Sequence, residues 1–314
     1  MFFKKIKKGH VNWNDFLCGT PARDYVFQKE AYEDQIKKAV ELIKDADAVM
    51  IGAGAGASTA AGIAYGGKRF TENFAEFIEK YGSQYMTDMY AAGFYPFPSE
   101  EAKWGYWSKH ALMNRFDPPA LPLYTELYDI VKEKEYFVLT TNVDHQFYKA
   151  GFAADRIFAT QGDYGEIQCQ KGCHPKVYEA EELFRKMDVQ RKDCQIPSEL
   201  VPKCPVCGGK MTMHLRCDSY FVEDEQWHEA ADRYADFLEQ NKGKNVAFLE
   251  LGVGFNTPII IRFPFERFVR EHDTYSLLRL NMDEAVVPES FGRRAIGIGG
   301  DMASAITDIR RGIL

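Results

Sequence analysis

The sequence predicts an α/β fold, a parallel sheet covered by helices on both faces and interrupted by two insertions that form a smaller module across a cleft. Three observations carry this. Short apolar strand-like runs alternate with stretches of helical periodicity, the pattern of βαβ units. One run feeds directly into the glycine-rich turn Gly52–Ser58, GAGAGAS, as a buried strand entering a tight strand-to-helix connection does. Two stretches, about 68–118 and about 166–216, break the alternation; the first is rich in aromatics and the second in cysteines.

A helix is expected from near Ala31, where Tyr32, Ile36, Val40 and Ile43 form one apolar stripe. Ala48–Ile51 is the strand before the glycines. The aromatic stretch contains Phe70, Phe74, Phe77, Trp104, Tyr106 and Trp107 with little strand pattern. Leu123–Val131 reads as a helix and Tyr136–Thr141 as a strand, ending in Thr140-Thr141-Asn142-Val143-Asp144. The cysteine-rich stretch holds Cys169, Cys173, Cys194, Cys204 and Cys207, with Cys217 at its edge. Helical periodicity returns over Trp227–Leu238. The strand Val246–Leu251 then ends in Gly252-Val253-Gly254, and Tyr275–Leu280 is closed by Asn281 and Met282. Ala295–Ile298 leads through Gly299-Gly300-Asp301 into a last helix, Met302–Leu314. The expected division is 1–67, 119–165 and 217–314 for the sheet domain, 68–118 for the aromatic helical insertion and 166–216 for the cysteine module.

A chain of 314 residues can bury one large core or a core plus a satellite domain. A net charge of −7 argues against sequence-independent nucleic-acid binding, which needs a basic footprint. No apolar run approaches the roughly 20 residues needed to cross a bilayer. The N-terminal MFFKKIKKGH lacks the apolar region of a secretory signal and is expected to be a solvated basic tail. Seven cysteines, an odd number with two close pairs, fit a metal and a reducing compartment, hence a cytoplasm.

The string Lys203-Cys204-Pro205-Val206-Cys207-Gly208-Gly209 has the form of a zinc knuckle. With Cys169 and Cys173 it supplies four thiolates for tetrahedral zinc; the alternative is reduced structural cysteines without metal. His174 and Cys194 are spare ligand candidates, and Cys18 and Cys217 read as ordinary thiols. The glycine turn has two readings: close backbone approach to a dinucleotide pyrophosphate, or close packing alone. The strand ends at Thr140–Asp144 and at Gly252–Gly254 lie where open α/β sheets bind ligands. From Asn281 an amide or backbone group can reach a ribose. Asp301 either caps the last helix or contacts an adenine.

Taken together and in this order, these pieces resemble the sirtuin family over nearly the whole chain. Gly54-Ala55-Gly56-Ala57-Ser58 matches the family's Gly-Ala-Gly-x-Ser, Ala61-Gly62-Ile63 its Ser-Gly-Ile, Thr141-Asn142-Val143-Asp144 its Gln-Asn-Ile-Asp, and Gly252-Val253-Gly254 its Gly-Thr-Ser. The four cysteines match its zinc ribbon. The resemblance implies a Rossmann-type parallel-sheet domain, a smaller zinc-ribbon plus helical insertion module, and NAD bound between them. It places NAD contacts at Gly54, Ala55, Gly56, Ser58, Gly62, Tyr65, Asn142, Asp144, Gln161, Gly252, Val253, Gly254, Asn281, Met282 and Asp301. Catalytic roles fall on Asn142, Asp144 and Gln161. Asn142 would bind the ribose, and Asp144 would act by its charge or by holding nicotinamide.

The departures are as informative. The family's Pro-Asp-Phe-Arg is replaced by Ala64-Tyr65-Gly66-Gly67, its catalytic His-Gly by Gln161-Gly162, and the segment after Gly-Thr-Ser reads Phe255-Asn256-Thr257-Pro258. With TTNVDHQF, DMYAAGFYPF and NRF, these resemble the macrodomain-linked class of microbial sirtuins. That class is known as protein ADP-ribosyltransferases modifying a lipoylated glycine-cleavage H-like carrier protein. A glutamine amide cannot accept a proton near neutral pH, so the resemblance implies transfer to a protein rather than deacylation. Two alternatives stay open: a deacylase in which His145 or a water replaces the base, and a non-catalytic NAD or ADP-ribose sensor. Against His145, adjacent residues near a strand end point in opposite directions. A separate macrodomain hydrolase is the expected eraser. Most insertion aromatics are expected to be core, with one or two lining a slot for an acyl or lipoyl group.

Overall fold

The computed structural model describes residues 20–255 and 258–314. The basic N-terminal segment, Cys18, Asn256 and Thr257 lie outside the described residues. Along the chain run strands β1 (Ala48–Ala53), β2 (Glu135–Thr140), β3 (Ile157–Ala159), β4 (Gly162–Cys169), β5 (Val177–Glu179), β6 (Met211–Leu215), β7 (Val246–Leu251), β8 (Tyr275–Asn281) and β9 (Ala295–Gly299). Six of them form an all-parallel sheet in the order β9-β8-β7-β1-β2-β3. The chain winds outward from β1 to β3, crosses back to β7 and winds outward the other way. The strand order therefore reverses between β1 and β7, the switch point where such sheets open a ligand crevice.

Register decides what meets there. Ala53 of β1 lies beside Thr140 of β2 and Leu251 of β7, and Leu251 beside Leu280 of β8. The chain therefore leaves the sheet at one level with Gly54, Thr141, Gly252 and Asn281. Four segments far apart in sequence come together side by side.

Helices α1 (Tyr32–Asp45), α2 (Ala55–Ala60), α3 (Gly67–Asn73), α4 (Ala75–Tyr81), α5 (Met89–Gly93), α6 (Glu100–Ala111), α7 (Pro122–Val131), α8 (Gln146–Lys149), α9 (Glu181–Gln190), α10 (Glu225–Gln240), α11 (Arg262–Glu271) and α12 (Met302–Ile313) complete the chain. One sheet face packs Val49, Ile51 and Val138 against α1, α7 and α12 through Ile43, Leu127 and Ile306. The other packs Met50, Phe137 and Phe248 against α10 and α11 through Phe237 and Phe265. Burial on both faces makes these strands continuous apolar runs. The stripe expected on α1 is rotated by part of a turn. Tyr32 is 38% exposed and donates to Asp308, while Gln35, Ala39 and Ile43 are buried, with Ile36 and Val40 packed at the margin.

The two insertions share one core. Phe70, Phe74, Phe77, Trp104 and Tyr106 pack in the same cluster as Tyr164, Phe184, Met187, Met211 and Met213. The rings of Phe74 and Tyr106 lie 5.1 Å apart. The expectation of a mostly structural aromatic stretch holds for these residues, while Tyr90 and Phe94 stay exposed. β4, which was not legible as a strand, pairs antiparallel with β5 and β6 and runs from the residue after Gln161 to Cys169. Gly162 begins it at φ 93°, and a Cβ there would sit 1.9 Å from the His214 carbonyl oxygen, so only glycine fits.

Candidate functional site

At the switch point the loops after β1 and β7 touch backbone to backbone. Gly54 N–H donates to the Leu251 carbonyl at 2.9 Å and Gly56 N–H to the Gly252 carbonyl at 3.1 Å. Gly252 has φ 60°, and a Cβ on it would lie 2.4 Å from the Ala57 nitrogen. Of the two readings of the glycine turn, loop packing accounts for the side of it facing Gly252. Ala55, the first residue of α2, is exposed, and Gly62 has open space where a Cβ would stand.

The next turn of α2 carries Ser58 into a buried polar cluster. Ser58 Oγ donates to Asp144 Oδ2 and lies 3.1 Å from the Tyr124 hydroxyl. Asn142 Nδ2 donates to that hydroxyl at 3.4 Å, and the Gln146 N–H donates to Asp144 Oδ1 at 3.1 Å. Asp144 is only 2% exposed. Burial pushes its carboxyl above the usual carboxylate range, against the hydrogen bonds from Ser58 and Gln146. Burial likewise lifts the Tyr124 hydroxyl, with the Asp144 charge adding to it. Tyr65 is raised by burial too, and its oxygen accepts from the Tyr164 hydroxyl at 3.1 Å. Such a cluster holds a fixed negative charge and several hydrogen-bonding groups at the strand ends, where water is scarce.

Gln161 stands just before β4. Its Nε2 donates to Thr160 Oγ1 at 3.4 Å, and its backbone carbonyl accepts from the Arg216 N–H at 3.0 Å. Asn281 is occupied at both ends of its carboxamide: Nδ2 donates to the Val253 carbonyl at 3.1 Å, and Oδ1 accepts from the Asp283 and Glu284 N–H groups. It braces the β7 and β8 loops against each other. Val253 is buried, Gly254 half-buried and Met282 exposed. Asp301 accepts from the Ala303 N–H at 3.1 Å and the Ser304 hydroxyl at 2.6 Å, which is the capping geometry. Phe255 lies under the Arg262 guanidinium, 3.7 Å from ring centre to carbon.

His145 lies beyond the strand, in the loop before α8, so strand alternation does not govern where it points. It adopts φ 65°, stacks on Tyr148 at 4.1 Å and places Nδ1 2.6 Å from Asp163 Oδ2. Sequence reasoning missed Tyr124, Tyr164 and Asp163. Tyr124 reads as one more apolar residue of an amphipathic helix, and no sequence signal joins Asp163 to Arg115, which the fold brings within 3.0 Å of it.

The sulfurs of Cys169, Cys173, Cys204 and Cys207 all lie within 4.8 Å of one another, with Cys169–Cys207 at 3.8 Å and Cys173–Cys204 at 3.6 Å. A tetrahedron of zinc–sulfur bonds of about 2.3 Å has edges of about 3.8 Å, so the donor set fits zinc. His174 stays beside the cluster, Nδ1 3.1 Å from Cys173 Sγ and Nε2 2.8 Å from the Tyr178 hydroxyl. Cys194 is buried elsewhere and, of the described cysteines, is not part of this group. Metal binding of this kind contributes about 10 kcal/mol or more to folding, comparable to a whole domain's stability. A strong chelator is therefore expected to release one zinc per chain and melt the shared core of both insertions. Metal analysis alongside circular dichroism checks this; zinc loss without loss of ellipticity would refute the structural role.

No family model matches the chain. A protein ADP-ribosyltransferase of Staphylococcus aureus (strain Mu50 / ATCC 700699) is 36% identical over 283 residues, covering 88% of this chain and 89% of the relative. A probable bifunctional ADP-ribose hydrolase/ADP-ribosyltransferase of Fusarium oxysporum f. sp. cubense is 32% identical over 273 residues, covering 82% of this chain but 44% of the relative. Among solved structures, a Sir2 homologue in an ADP-ribose complex superposes with a TM-score of 0.57 at 15% identity, over 88% of this chain and 96% of that one. Sir2Tm bound to a propionylated peptide gives 0.52 at 19% identity, over 89% and 99%. At such identities the structures speak for the fold.

Proposed function

As a member of the sirtuin-type protein ADP-ribosyltransferases this chain is an NAD-dependent enzyme, and on that premise we propose that its acceptor is a lipoylated H-like carrier protein of the glycine-cleavage type. The observation that carries transfer over deacylation is the side chain at position 161, a carboxamide hydrogen-bonded to Thr160.

When bound, NAD supplies an ADP-ribosyl group with nicotinamide as its leaving group. The loops Gly54–Ser58 and Gly252–Gly254, in backbone contact with each other, form with Gly62, Tyr65, Asn281, Met282 and Asp301 the floor of the proposed NAD site. Asn142 holds the ribose by hydrogen bonding. Asp144 opposes the positive charge that develops at the ribose C1′, in a site dry enough for that charge to count. Gln161 orients the incoming group without taking its proton. Zinc, on this reading, holds the module that carries Gln161's neighbour β4 and does no chemistry.

We place the protein in a reducing cytoplasm on its cysteine usage; among the described residues no helix is long and apolar enough to cross a membrane. A separate macrodomain hydrolase would remove the mark. The name of the Fusarium relative joins both activities in one polypeptide, of which this chain spans 44%.

The test is transfer of label from NAD labelled in its ADP-ribose part to lipoylated and unlipoylated carrier. Label is expected on the lipoylated form only, and is expected to disappear in Gln161→Ala and Asn142→Ala. Loss of an acyl group from a lysine peptide, with no label on the carrier, would establish the deacylase instead.

A further inference from the structure

Two pieces that mark this chain off from other sirtuins, Asn114-Arg115-Phe116 and Asp144-His145-Gln146-Phe147, meet at a place the mechanism above leaves unused. Helix α6 runs into a π-helical turn, Leu112–Phe116, a distortion frequent at functional sites. From this turn Arg115 Nε donates to Asp163 Oδ1 at 3.0 Å. Asp163 also accepts from the Gly165 N–H at 2.6 Å and faces His145 Nδ1 at 2.6 Å. A carboxylate fixed by two other donors and set against Nδ1 holds the imidazole in the tautomer whose Nε2 is free to accept a proton.

His145 borders two spaces. One is a small, partly open pocket of about 10 Å³, bounded also by Thr140, Asn142, Asp144, Ala159 and Asp163, roughly the room one water takes. The other is a solvent-connected cavity of about 600 Å³ on the α10 side of β4, walled by Arg115, Glu166, His214, Trp227, Glu229 and Arg233. The imidazole thus stands between the catalytic strand end and a second opening to water.

We propose that His145 is the proton-exit group of the transfer reaction, taking the acceptor's proton across the small pocket and releasing it into the 600 Å³ cavity, with Asp163 and Arg115 as positioning residues. The inference rests on the transfer reading. In the transfer the C1′–nicotinamide bond breaks with its electron pair going to nicotinamide, and the acceptor's lone pair forms the new bond to C1′. One proton is left over. Gln161 cannot hold it, and a front cleft filled by two substrates excludes water. It passes from the acceptor across the small pocket through one water to His145 Nε2 and on to the cavity. Asp163 and Tyr148 lie against that imidazole, and among the charged groups lining the cavity with it are Glu166, Glu229, Arg115 and Arg233, while Asp144 shares the smaller pocket. Their carboxylates outnumber their guanidiniums, so a transient imidazolium is accommodated.

Single-turnover transfer tests this with His145→Asn, a residue that tolerates φ 65°, and His145→Gly, which opens a hole reachable from the cavity. His145→Asn is expected to slow transfer by about 100-fold and leave the NAD KM within about twofold. His145→Gly is expected to recover several-fold with added imidazole, which leaves the parent chain unaffected. If the parent chain labels no acceptor, the transfer reading itself fails. If the parent labels and His145→Asn matches its rate, or His145→Gly is slow and inert to imidazole, the proton-exit role is overturned. Should one variant not fold, the other decides.

Discussion

Asp144→Asn is expected to lower ADP-ribosyl transfer by about 10²- to 10³-fold while leaving the unfolding midpoint unchanged or slightly raised. The substitution keeps the shape of the side chain and one acceptor for the Ser58 or Gln146 donor, and removes only the charge. That charge sits in a buried cluster where burial already opposes it, so the folded state loses little when it goes. The reaction loses more, because a fixed negative charge in a water-poor site is what offsets positive charge developing at C1′. The sign with pH follows. A carboxyl with a raised pKa supports transfer only above that pKa, so the parent's rate falls on acidification, while that contribution is flat in the variant. Nicotinamide release, measured by initial rates from pH 4 to 8, checks both points. A variant within threefold of the parent at neutral pH would remove Asp144 from the chemistry.

Arg279→Met is expected to destabilise the chain by about 3–5 kcal/mol, a large part of the total stability of a typical domain. Arg279 on β8 donates to Glu250 on β7 at 2.8 and 2.7 Å and to Glu266 on α11 at 2.7 Å, and all three side chains are fully buried. Tyr25 also donates to Glu266 at 2.6 Å. Without the guanidinium, two carboxylates remain in the interior with no opposing charge at their centre, and at least one must take up a proton. The loss should therefore be larger at pH 8 than at pH 5. Urea unfolding at the two pH values measures it, and a loss below about 1 kcal/mol would show that the triad is dispensable.

Five of the six strands of the parallel sheet were legible because burial on both faces leaves no polar alternation to confuse them, while the short edge strand β3 was not; the cysteine spacing named the four residues that cluster. The strand-end position of Asn142 and Asp144 followed from the same pattern. β4 was not legible: GDYGEIQC mixes polar and apolar residues, and an irregularity between Asp163 and Ile167 breaks the alternation. α11 carries Pro264 in its first turn and buries Arg262 and Glu266, which the sequence offers as surface charges. Arg115, His145 and Asp163 are separated by up to 48 positions, so no local window joins them. Glu250, Glu266 and Arg279 look like surface charges until the fold pairs them.

The single core shared by the two insertions sets a timetable for synthesis. Trp104 and Tyr106 leave the ribosome about 100 residues before Met211 and Met213, the strand residues that close over them. At roughly 5–20 residues per second that is a wait of about 5–20 s. During it the densest aromatic segment of the chain has no partner sheet to cover it. The nascent chain is then most exposed to misassociation, and a chaperone that shields residues 70–107 would act where it is needed most.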